Sequence, residues 1–90
     1  ATNMPNIVQA LNMHAIIYSI QNKFYPALDD LSAAIELDSE YPDSFYKRAI
    51  INKLLGKRTE AIEDLKRYLA LETDPELKKG AEELLMSLGG

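Results

Sequence analysis

The sequence predicts an all-α fold: an α-α superhelix of two antiparallel helix pairs, closed by a fifth helix. Three observations predict it. The chain matches itself in phase at a shift of 34 residues. Its apolar residues recur at helical spacing rather than in strand alternation. Residues that start or stop helices stand at the same phases of the two units.

The internal match runs through both helices of each unit. Ala15 meets Ala49, Ile16 meets Ile50 and Ile17 meets Ile51; Lys23 meets Lys57 and Ala27 meets Ala61. Asp30 meets Asp64, Leu31 meets Leu65, Ile35 meets Leu69 and Leu37 meets Leu71. A fixed period of this length is the mark of stacked supersecondary units, none of which buries its apolar face alone.

The first helix is expected near residues 4–21. Residues 1–22 carry no formally charged side chain, yet Asn6, Gln9, Asn12, His14, Ser19, Gln21 and Asn22 interrupt the apolar run. It falls short of the roughly 20 mostly apolar residues of a membrane span, and it lacks the basic start of a signal peptide. No membrane insertion is expected. The second helix, near 25–38, sets Leu28, Leu31 and Ile35 on one stripe, with Pro26 in its first turn. The third, near 43–55, opens on Pro42 beside Asp43, an acid suited to the positive helix end. Asn22 and Gly56 share one phase between the paired helices, and both tolerate a left-handed backbone. Thr59 caps or begins the fourth helix, near 59–72. The fifth, near 75–88, has a capping-box pattern in Thr73 and Glu76, and Leu77, Ala81, Leu84, Leu85 and Leu88 on one stripe. Gly80 costs this helix about 1 kcal/mol relative to Ala. Gly89-Gly90 is expected to fray.

Ninety residues make a single domain, divided as a first repeat at 8–41, a second at 42–75 and a closing helix and tail at 76–90. The 47% apolar and 27% charged residues argue against disorder. With no cysteine and one histidine, neither a disulfide framework nor a multi-histidine metal site is available within the chain. The lack of cysteine fits a reducing compartment and favours the cytoplasm. The net charge of −4 gives no basic footprint for nucleic acid. Charge is uneven: residues 1–46 carry −5 and residues 47–90 carry +1.

Catalytic constellations are missing from the sequence. His14 has no local acid, and Asp29 and Asp30 diverge by about 100° on a helix, so they form no dyad. There is no phosphate-binding glycine loop. The chain is therefore read as a non-enzyme without cofactor. The basic residues Lys47, Arg48, Lys53, Lys57, Arg58, Lys66 and Arg67 are interleaved with Glu60, Glu63 and Asp64. They read either as a solvated helix surface or as a contact for an acidic partner.

These residues resemble the tetratricopeptide repeat (TPR) family. With Val8 and Pro42 as position 1 of the unit, Leu11 and Phe45 fall at position 4, and Ala15 and Ala49 at position 8. Ala27 and Ala61 fall at position 20, Leu31 and Leu65 at position 24. The small residues let helix axes approach to about 8–10 Å. His14 and Arg48 stand where the family has Leu, and Tyr68 where it has a small residue. The closing helix is also out of register, since Leu77 follows Leu69 by eight residues whereas Phe45 follows Ile35 by ten. The last helix is expected to dock differently.

The resemblance implies a protein or peptide partner on the concave face. It places Gln9, Asn12, Ile16, Ser19 and Ile20 there from the first repeat, and Asp43, Tyr46, Ile50, Lys53 and Leu54 from the second. Asn12, Ile16, Ser19, Tyr46, Ile50 and Lys53 are taken as the partner-binding set. Tyr46 beside Lys53 suits an extended acidic-apolar peptide. The carboxylate clamp of one TPR subclass is not expected, because only Lys47 falls at a matching phase. The alternative is an assembly module. The first helix lacks a charged outer face, and Ala10, Met13 and Ile17 form a stripe suited to further repeats or to a second copy, giving a homo-oligomer. The start at Ala1 is read as processing or excision from a longer protein.

Overall fold

A computed structural model describes residues 4–90, and their side chains from residue 6 onward. It contains α1 (Met4–Ile20), α2 (Phe24–Leu37), α3 (Pro42–Leu54), α4 (Arg58–Leu71) and α5 (Pro75–Ser87), with no strand among the described residues. Each boundary lies within one residue of the sequence expectation.

The turns explain the agreement. Asn22 and Gly56 adopt φ of 61° and 78°. After each, the chain closes the helix with the same pair of bonds. Lys23 N–H donates to Tyr18 O at 2.8 Å and Lys57 N–H to Asn52 O at 2.7 Å, while Asn22 and Gly56 each donate one residue further on. This is the Schellman closure, which satisfies carbonyls that a helix end would leave bare. The chain then reverses within a few residues and the paired helices lie antiparallel.

Alanine makes the close approach within pairs. Ala15 and Ala49, and Ala27 and Ala61, are at most 1% exposed, as are Leu31 and Leu65. One apolar cluster joins Ala15, Ala27, Leu31 and Ile51 across α1, α2 and α3. A second joins Phe45, Ala49, Leu65, Tyr68 and Ala81 across α3, α4 and α5. α3 belongs to both, so it is the shared wall of the domain.

Two local expectations are corrected. The N-cap of α5 is Asp74, whose Oδ1 accepts from Glu76 N–H at 3.0 Å, and not Thr73. An aspartate directly before Pro75 reaches the second helical N–H without needing the longer capping box. Gly89 and Gly90 are not a loose end: Gly89 has φ of 84°, and Gly90 N–H donates to Leu85 O at 3.0 Å. The tail closes α5 as Asn22-Lys23 closes α1.

The closing helix does dock differently. α5 packs along α4, but it forms no seam with α3 comparable to the one between α1 and α3. Tyr68, 4% exposed, fills the place where a small residue would let helices close in. The opening this leaves is where the candidate site lies.

Candidate binding groove

An open groove of about 810 Å³ runs across α1, α3 and α5. Ile16, Ser19 and Ile20 form one wall, from the second half of α1. Tyr46 and Ile50 of α3, with buried Ile51 and Ala15, form the floor, and Tyr68 of α4 stands behind them. Glu76, Leu77 and Gly80 form the opposite wall on α5, and Asp43 and Lys47 of α3 complete the rim. Ile20 and Leu77 are 77% and 53% exposed, so the groove shows water two large apolar side chains on facing walls.

Tyr46 and Tyr68 meet with ring centroids 5.0 Å apart and planes tilted by 44°. The contact holds Tyr46 against the buried ring behind it. Burial pushes the Tyr68 hydroxyl up to about 12, with the carboxylates of Glu72 and Asp43 adding to the shift. Tyr41 is raised too, first by burial and then by Asp43.

Gly80 lies inside α5, on the groove wall. A Cβ added there meets no atom within 4 Å, and the residue does not use a positive φ. Nothing within the folded chain demands its missing side chain, although a helical glycine costs about 1 kcal/mol relative to Ala.

Four of the six residues taken as partner-binding come together here: Ile16, Ser19, Tyr46 and Ile50. The other two do not. Asn12 is 3% exposed in the α1–α3 seam, where its Nδ2 donates to Ser44 Oγ at 2.8 Å and to Val8 O at 2.9 Å. Its amide ties the repeats together and is closed to a partner. Lys53 is exposed in the last turn of α3, beyond the groove lining, where its charge complements the negative helix end. An acidic-apolar peptide matched to Tyr46 and Lys53 thus loses its cation. Sequence reasoning missed Lys47, Tyr68, Glu76, Leu77 and Gly80. The displaced register of the closing helix was the signal that could have pointed to the last three.

Four of the seven basic residues of the second repeat enter structural contacts. Arg48 pairs with Asp64 at 2.8 Å, and Arg67 and Arg48 each lie 5.9 Å from the Phe45 ring centroid. Lys57 sits 5.3 Å from the ring centroid of Tyr25, and Arg58 Nε donates to Leu88 O at 2.6 Å. Lys47 lines the groove, and Lys53 and Lys66 are exposed. No protein-family model matches this sequence, and no curated protein is significantly similar to it. Ala10, Met13 and Ile17, taken as a self-association stripe, are all exposed on α1, with Met13 at 63% and Ile17 at 49%.

Proposed function

We propose that this chain is a protein-interaction module of the tetratricopeptide repeat kind, a non-enzyme that holds a peptide or protein segment in the groove between α1, α3 and α5. Gly80 carries the reading. It leaves the α5 wall without a side chain at this point, and no group of this chain fills the space in front of it. The space in front of Gly80 is the groove, and an occupant's side chain is what would fill it. Exposed Ile16, Ile20 and Leu77 support the same reading, because a concave apolar surface with a few polar groups is the usual form of a binding site.

The test is selection from a displayed library of random twelve-residue peptides, followed by titration against variants. Selected peptides should lose affinity for Tyr46→Ala and Gly80→Phe while both variants keep the wild-type helical signal. A Cβ at position 80 meets no atom within 4 Å, so Gly80→Phe projects into the groove without displacing a contact at its root. Peptides that bind both variants as tightly as wild type would move the site elsewhere.

A second reading is assembly through α1. Ile17 is 49% exposed at the repeat phase where Ile51 is 3% exposed. The face that α3 buries against the preceding helix pair is open on α1.

A further inference from the structure

Resting on the groove reading, we infer that the segment it takes carries a lysine or arginine beside its apolar residues, so that the module selects cationic-apolar sequences. The groove's charged lining consists of Asp43, Glu76 and Lys47. Both acids are the second residues of their helices, one on the floor helix and one on the facing wall, so they flank the same end of the groove. Among the described residues the ion pairs within 4.0 Å are His14–Asp30 and Arg48–Asp64, so neither Asp43 nor Glu76 is paired to a cation of its own chain. Lys47, one turn along α3 from Asp43, does not close on it.

Both acids stand at positive helix ends, and neighbouring groups still register the negative charge of Asp43. Asp43 contributes to raising two different tyrosine hydroxyls, Tyr41 and Tyr68, and Glu72 acts on Tyr68 from behind. Tyr46 offers its ring in the same corner, and an aromatic face beside carboxylates attracts a guanidinium or ammonium group. Ile16, Ile20, Ile50 and Leu77 supply apolar contacts along the rest of the groove. A segment with a basic residue at the acidic end and aliphatic residues beyond it meets both. An acidic segment would set like charges against Asp43 and Glu76, and the chain's remaining cations lie outside the lining.

The peptide library provides the probe. Sequences recovered on wild type should be enriched in Lys or Arg together with Leu, Ile or Phe. A recovered cationic peptide should bind the double variant Asp43→Asn/Glu76→Gln about three- to tenfold more weakly, the range set by two exposed ion pairs. The loss should shrink as salt is raised. Asn and Gln keep the size of the side chains, and helical content by circular dichroism checks that the fold persists. Lys47→Gln, which removes the groove's own cation, should tighten binding of the same peptide. Selected peptides rich in Asp or Glu, or a double variant with wild-type affinity, would overturn the cation preference and leave the groove reading standing. Failure to recover any peptide sensitive to Tyr46→Ala and Gly80→Phe would overturn both.

Discussion

The guanidinium of Arg48 grips the carboxylate of Asp64 in a fork, with Nε 2.9 Å from Oδ2 and Nη2 2.8 Å from Oδ1. Asn52 donates to the same carboxylate at 3.2 Å, and Arg48 Nη1 reaches back to Ser32 of the preceding repeat at 3.2 Å. Asp64 is 5% exposed, so its charge is held inside the helix pair by these donors. Arg48 and His14 share one repeat phase, and Asp64 and Asp30 share another. His14 Nδ1 and Asp30 Oδ2 are 3.9 Å apart, so the first unit repeats the pairing loosely and near water.

Replacing Arg48 by Leu should therefore be costly. It leaves a buried carboxylate with Asn52 alone, and breaking a buried pair from one side costs about 3–5 kcal/mol. About 3 is expected here, because a quarter of the Arg48 side chain remains in water. The double variant Arg48→Leu/Asp64→Leu should recover part of the loss, since no charge is then stranded. Urea midpoints of the two variants measure this; a double variant less stable than Arg48→Leu would contradict it.

Ala15 and Ala49 test the close approach of paired helices. Each is at most 1% exposed between elements that leave no room for a larger side chain. Ala15→Leu and Ala49→Leu should each destabilise by about 1–3 kcal/mol. Ala49 lies in the wall shared by both clusters and should show the larger shift of the urea midpoint. Unchanged midpoints in both would mean that the helix contacts are looser than these alanines imply.

Tyr68 gives the fold a pH dependence in alkali. Burial, then Glu72 and Asp43, push its hydroxyl from the ordinary 10.0 up to about 12. Above pH 10 the unfolded chain releases this proton while the folded chain keeps it, so the unfolded state gains relative to the folded one. The contribution is whole below pH 10 and is lost as pH rises towards about 12. Wild type should lose more stability than Tyr68→Phe between about pH 9 and about pH 11. Parallel losses in the two proteins would sink the assignment.

The fold was legible because local and global signals agree. Alanines in phase, Asn22 and Gly56 at one turn position, and prolines in first turns each specify the same helix pairs. The groove was legible where it lies inside a repeat, as at Ile16, Ser19, Tyr46 and Ile50. It failed where side-chain partners cross between repeats. Asn12 looks like a free polar group on a helix face until Ser44, 32 residues away, is brought against it. The wall formed by Glu76, Leu77 and Gly80 was hidden because α5 leaves the 34-residue register, and no periodicity argument reaches beyond the period. The ion pair of Arg48 left a trace, since His14 and Arg48 depart from the family pattern opposite acids at one shared spacing.

The face that α3 buries is open on α1. In the second repeat, Ser44 and Ile51 are 0% and 3% exposed, because that face of α3 packs against the first helix pair. Ile51 enters the cluster of Ala15, Ala27 and Leu31. The same phases of α1 hold Ala10 and Ile17, with Met13 between them at the phase of Lys47, and all three are exposed. α1 has no acidic residue in its first turn and no basic residue in its last, and no charge along its length sets it against an apolar neighbour. α5, at the other end, carries Lys78, Lys79, Glu82 and Glu83. A repeat array with one charged end and one apolar end is stable in water with its apolar end covered. The 90-residue chain should self-associate through Ala10, Met13 and Ile17, and weakly, because a single helix stripe buries only a few hundred Å² against the roughly 1,200–2,000 Å² of a stable interface. Sedimentation of wild type should show a concentration-dependent rise in mass that Met13→Glu/Ile17→Lys abolishes, with the helical signal unchanged in both. A wild type that stays monomeric at high micromolar concentration would defeat self-association and leave a preceding helix pair as the partner this face fits.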